Sequence, residues 1–146
     1  MGYELVPRMK RKRRNSIHYN IGGMYNVTKV MAFAGVPDEI LKNFTTSNNY
    51  VRSAEARVIA DRLDGLLNRL EASRPSERIP GRSPASSQAM KYFDSFMRDI
   101  EKRIGPNGFL ICPPRELSDL LSDPSMIDDL RSFSAFCRSS GGFYVW

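Results

Sequence analysis

The sequence predicts an α+β fold, about five helices packed around a small sheet of about three short strands. Three observations carry this. Residues 53–73 place Val58 or Ile59, Leu63, Leu66, Leu67 and Leu70 three and four apart, the spacing of one helical face. Residues 16–21, SIHYNI, alternate Ile17, Tyr19 and Ile21 with His18 and Asn20, the period of a half-buried strand. The chain also runs from strand pattern to helix pattern and back without a repeat, so helices and strands share one core.

In order, residues 1–15 read as a basic N-terminal arm ending in KRKRR, and residues 16–146 as a single α+β domain. After the strand at 16–21, Gly22 and Gly23 break the chain. A helix follows with Val27, Val30, Met31 and Ala34 on one face and Gly35 as its C-terminal stop. Pro37, Asp38 and Glu39 open a short helix, where proline and acids suit the first turn, and Ile40, Leu41 and Phe44 form its inner side. TTSNN, residues 45–49, is a polar turn. Ser53 caps the long helix and Gly65 weakens it by about 1 kcal/mol relative to alanine. Residues 74–87 carry three prolines and several serines and read as a flexible loop within the domain. Ser86 or Ser87 caps a helix over 88–104, with Ala89, Phe93, Phe96, Met97, Ile100 and Ile104 on its buried face and Gly105-Pro106 as its stop. FLIC, residues 109–112, predicts a buried strand ended by Pro113-Pro114. A short helix over 115–121 follows. Asp123 and Pro124 then start the last helix, which buries Ile127, Leu130, Phe133 and Cys137. Gly141-Gly142 ends it before a terminal strand, FYVW.

At 146 residues the chain buries roughly two-thirds of its unfolded surface. Its longest apolar run, VMAFAGV, falls far short of the roughly 20 residues of a membrane span. The basic start lacks an apolar h-region, so no secretory signal is expected. Cys112 and Cys137 have neither CxxC spacing nor partner histidines, which suits a reduced, cytoplasmic protein with structural thiols. The net charge is +6, and the first 14 residues supply +5 of it: Arg8, Lys10, Arg11, Lys12, Arg13 and Arg14 stand against Glu4 alone.

That basic cluster is the strongest chemical signal. It fits phosphate binding, because Lys and Arg gain affinity by releasing condensed counterions. It fits an acidic protein partner equally, by the same field, and a solvated tail. Nothing in the spacing matches a helix-turn-helix, a zinc finger or an aromatic RNA-binding signature. A second candidate is the step from strand through Gly22-Gly23 into a helix, where backbone N–H groups favour anions. His18, Tyr19, Asn20, Tyr25 and Asn26 would surround a nucleotide or other phosphorylated ligand there, although the spacing is neither that of a P-loop nor that of a dinucleotide fold. His18, the one histidine, is the acid–base candidate for catalysis, alone or paired with Cys112 or Cys137. Asp128-Asp129, and Glu116 with Asp119, read instead as helix N-terminal or solvated acids. No metal site or cofactor is expected.

The C-terminus is rich in aromatics. Phe133, Phe136, Phe143, Tyr144 and Trp146 suit either the finish of the core, as in a terminal strand, or an interaction patch, for which Tyr144 and Trp146 are the candidates, Trp146 being the residue most expected to be exposed. The segment Phe133-x-x-Phe136-Cys137-Arg138-x-x-Gly141-Gly142-Phe143 resembles a pattern in small uncharacterised bacterial and phage proteins. The resemblance implies an accessory product of a phage or mobile element, some of which act by binding, and the segregated charge and lack of a catalytic constellation point the same way. The expected function is therefore a non-enzymatic binding protein, a phage-type inhibitor of a host-defence protein or nucleoprotein complex. The alternative is a protein that sequesters a nucleotide or phosphorylated small molecule near Gly22-Gly23.

Overall fold

A computed structural model describes residues 2–9, 15–46, 49–72, 87–105 and 114–146. The described chain is α+β, with six helices and four strands. The elements run β1 (Gly2–Pro7), β2 (Ile17–Asn20), α1 (Ile21–Phe33), α2 (Asp38–Thr45), β3 (Asn49–Arg52), α3 (Ser53–Ala72), α4 (Gln88–Ile104), α5 (Leu117–Ser122), α6 (Pro124–Ser139) and β4 (Gly142–Val145). The strands form one sheet in the order β2-β1-β4-β3, every neighbouring pair antiparallel.

The first and last strands lie at the centre of the sheet. Leu5 stands opposite both Ile17 and Val145, and Glu4 exchanges backbone hydrogen bonds with Trp146, at 3.2 Å and 2.9 Å. Residues 2–7 are thus a central strand and not part of an arm. GYELVP alternates Tyr3, Leu5 and Pro7, all buried, with Gly2, Glu4 and Val6. Proline is tolerated at a strand end, and the ladder resumes one residue later, where the Arg8 N–H donates to the Gly142 carbonyl at 2.8 Å. Lys10, Arg11, Lys12, Arg13 and Arg14 lie outside the described residues, as do the expected strand at 109–112 and loop residues 74–86.

Tyr3, Leu5, Val51, Phe143 and Val145 turn the buried face of the sheet toward the helices. Phe44, Phe133, Phe136 and Phe143 form an aromatic cluster in which Phe44 meets Phe133 at 5.6 Å and Phe136 meets Phe143 at 5.3 Å between centroids. α3 buries Ala56, Ile59, Ala60, Leu63, Leu66 and Leu67, touches β3 and β4, and pairs with α6. α4 packs on α1 and α2, reaching the sheet through Phe93, whose ring meets Tyr3 at 6.3 Å. On α4 the buried stripe is Ala89, Met90, Phe93, Met97 and Ile100; Phe96, expected inside, is 42% exposed, and Met90 is buried instead. Ser87, fully buried, anchors the helix start. Its Oγ accepts from the Met90 N–H and donates to Asp38 Oδ1 at 2.5 Å, while Asp38 Oδ2 accepts from the Gln88 N–H.

Two further elements differ from expectation. α1 begins at Ile21, so Gly22 and Gly23 belong to its first turn and not to a break. Asn20 is the N-cap, its side-chain oxygen accepting from the Gly23 N–H at 2.7 Å. β3, Asn49–Arg52, was hidden behind the polar turn that precedes it.

Candidate functional site: the open face of the sheet

Because side chains alternate along a strand, burying one face of the sheet sends the intervening residues to the other. That other face carries Glu4 and Val6 from β1, His18 and Asn20 from β2, Tyr50 and Arg52 from β3, and Tyr144 from β4, with Trp146 just beyond it. All are half-buried or exposed, whereas Tyr3, Leu5, Val51, Phe143 and Val145 on the opposite face are buried.

Three aromatic rings run across this face. Tyr50 and Tyr144 stand opposite each other in register with centroids 5.0 Å apart, and Tyr144 lies 6.2 Å from Trp146, two residues along the strand. Trp146 is 55% exposed. At the Tyr50 end, the Arg8 guanidinium sits 5.9 Å from the ring centroid and Nη1 donates to Tyr50 Oη at 3.3 Å, a cation–π contact with a hydrogen bond. Gly142 makes room for this ring. Its φ is +94°, and a Cβ there would stand 2.7 Å from Tyr50 Oη and 2.8 Å from the Val51 carbonyl oxygen. At the other end Trp146, Glu4, His18, Asn20 and Gly2 line a shallow, open concavity of about 490 Å³, with His18 Nε2 3.7 Å from Glu4 Oε1.

Charge is segregated between the layers. In the helical layer Arg138 contacts Asp61 at 2.8 Å and Asp64 at 2.6 Å, Arg131 contacts Glu71 at 3.1 Å, and Arg115 contacts Asp123 at 2.7 Å. Ser134 donates to Asp64, Tyr25 to Asp94 and Tyr19 to Asp129, while Glu55 accepts from Asn43 and from the Arg52 N–H. Burial opposes the ionisation of Asp64, but the hydrogen bonds from Ser134 and Arg138 outweigh it and hold the carboxyl below its ordinary range. The Arg115 hydrogen bond, then the Ser125 N–H, does the same for Asp123. On the open face, among the described residues, Glu4 is the one carboxylate side chain, and it faces His18.

The residues expected around Gly22-Gly23 are not gathered into one place. His18 and Asn20 are on the open face. Tyr19 turns inward, its ring edge-on to Phe133 at 6.2 Å, and burial followed by the charge of Asp129 pushes its phenol up. Tyr25 is buried against Phe93 and bonded to Asp94, and Asn26 accepts from the Arg115 N–H at 3.0 Å. Lys29 lies 4.8 Å over the Tyr25 ring and donates to the Arg115 carbonyl at 2.7 Å. These side chains fasten α1 to α4 and to the chain before α5. The Gly23 N–H that an anion would take is held by Asn20.

Nor are His18 and Cys137 brought together. His18 projects from the open face, whereas Cys137 is 1% exposed on α6, where burial pushes its thiol up and away from thiolate. Cys112 lies outside the described residues. Among the described residues no group of three or more His, Cys, Asp or Glu is placed to hold a metal ion, and no helix is long and apolar enough to cross a membrane.

Of the expected site residues, Arg8, His18, Asn20, Tyr144 and Trp146 lie on the open face. Tyr50 and Arg52 are the members that sequence reasoning missed. The available signal was Tyr50-Val51-Arg52, two β-formers and a cation between a polar turn and a helix cap. No family model matches the chain, and no curated protein or solved structure is significantly similar to it.

Proposed function

We propose that the chain is a non-enzymatic binding protein, a phage-type inhibitor that engages the nucleic acid of a host nucleoprotein complex with the open face of its sheet. The observation that carries this is the aromatic row Tyr50–Tyr144–Trp146 bordered by Arg8 and Arg52, on a face whose one described carboxylate side chain faces a histidine. A row of half-exposed rings gives up apolar contact to water unless a partner covers it, and the bordering cations favour a partner that is anionic. The basic run Lys10, Arg11, Lys12, Arg13 and Arg14 follows Arg8 in sequence and adds to the same attraction. Among the described residues, Asp64 and Asp123, whose pKa values are lowered, are held by arginines in the helical layer, and Cys137 is buried in the core, all away from the open face.

The test is the salt dependence of binding to mixed nucleic acid for the parent and for a variant carrying both Arg8→Ser and Arg52→Ser. Removing two phosphate contacts lowers the slope of log affinity against log salt by roughly 1.4 to 1.8. Equal affinity and equal slope in parent and variant would overturn the proposal.

A further inference from the structure

We infer that the nucleic acid taken by this face is single-stranded, its bases stacking on Tyr144 and Trp146 and its phosphates meeting Arg8 and Arg52. The inference rests on the binding function proposed above and specifies its ligand. Three features of the face lead to it.

The first is shape. A duplex offers a flat sheet its phosphates and groove rims, while its base faces are hidden in the stack; entering the major groove takes a helix or a two-stranded ribbon. Against a duplex the three rings would lose water and gain no partner. A single strand presents base faces, and a ring of Tyr or Trp takes any base.

The second is spacing. Tyr50 to Tyr144 is 5.0 Å and Tyr144 to Trp146 is 6.2 Å between centroids. Stacked bases in a duplex strand repeat every ~3.4 Å. Bases seated on successive rings are therefore pulled apart from each other, which an unpaired, extended strand permits and a duplex does not. The rings sit at fixed register positions on β3 and β4, so the strand is met by a preformed surface.

The third is the arrangement of charge. Arg8 lies over the Tyr50 ring and bonds its Oη, and Arg52 stands on the edge strand β3, so both cations gather at the Tyr50 end of the row, away from Trp146. A backbone running past Tyr50 would meet both while its bases turn onto Tyr144 and Trp146. An apolar protein surface would cover the rings but leave the charge of the two arginines uncompensated.

Trp146 is the one tryptophan in the chain, so its fluorescence reports directly on the proposed stacking site. The full-length protein is titrated with oligo(dT), with oligo(U), with a duplex of the same length, and with an abasic deoxyribose-phosphate strand. Saturable quenching by oligo(dT) or oligo(U), with weaker binding and no quenching by the duplex and the abasic strand, is the expected result. Tyr144→Leu, which keeps apolar contact but removes the π-face, weakens oligonucleotide binding by roughly 5- to 150-fold, and Trp146→Leu does the same. An apolar protein interface would tolerate both leucines. Equal affinity for the abasic strand, or equal quenching by the duplex, overturns the stacking inference while the polyanion-binding function stands. If neither single strand, duplex nor abasic strand binds, both fail. Should Tyr144→Leu not fold, the abasic comparison on the parent protein still decides.

Discussion

Leu5→Ala tests whether the N-terminal segment is the centre of the sheet or a disposable arm. Leu5 has no exposed surface and pairs across the backbone with both Ile17 and Val145, so its removal opens a cavity between the sheet and the helices. Truncations of this kind cost about 2 to 5 kcal/mol. A small domain has about 5 to 15 kcal/mol of stability in all, so the loss is a large share of it. With a urea slope of about 2 kcal/mol per M, the middle of the usual range, the midpoint falls by roughly 1 to 2.5 M. Val6→Ala is the internal control. Val6 lies on the open face of the same strand and is half-buried, so its truncation is worth no more than about 1 kcal/mol. Equilibrium unfolding followed by circular dichroism measures both. If the two variants unfold at the same urea concentration, the strand assignment and the register of the open face are wrong. The outcome also decides how the basic residues are to be studied. A truncation through residue 9 would remove a central strand, so the cluster Lys10 to Arg14 has to be replaced in place.

Asn20→Ala removes the cap on α1 and lowers stability by about 0.5 to 2 kcal/mol in the same assay; inorganic phosphate leaves the parent's melting temperature unchanged, because Asn20 already holds the Gly23 N–H. Gly142→Ala, at φ +94° with Tyr50 Oη 2.7 Å from the new Cβ, costs about 2 kcal/mol or more and alters the near-ultraviolet dichroism of the Tyr50–Tyr144 pair. The lowered pKa of Asp64 gives a signed pH dependence. The unfolded chain binds the proton more readily, so this contribution is complete above the ordinary carboxylate value of about 3.9 and is lost as pH falls through Asp64's own lower value. Asp64→Asn keeps an acceptor for Ser134 but loses the Arg138 ion pair; it costs about 1 kcal/mol at neutral pH and flattens the acid limb of a stability–pH profile.

What the sequence alone determined is the set of helices, the edge strand β2 and one of the two central strands. The faces of α2, α3 and α6, the caps Ser87 and Asp123, the stop at Gly35 and the strand around Phe143 to Val145 were legible, because spacing, capping and turn chemistry are local. β1 was masked by composition: its period-two pattern is short and is followed at once by KRKRR, so charge outweighed alternation. β3 was masked by its neighbours, a polar turn and a helix cap. Gly22-Gly23 looked like a break because glycine is a poor helix former, and the Asn20 cap together with the burial of α1 overrode that preference. The open face was decided by tertiary structure alone. Tyr50, Tyr144 and Arg8 are far apart in sequence, and only the order β2-β1-β4-β3 brings them together. Strand order is set by long-range pairing, with the first strand joining the last, and no local pattern encodes which strands become neighbours.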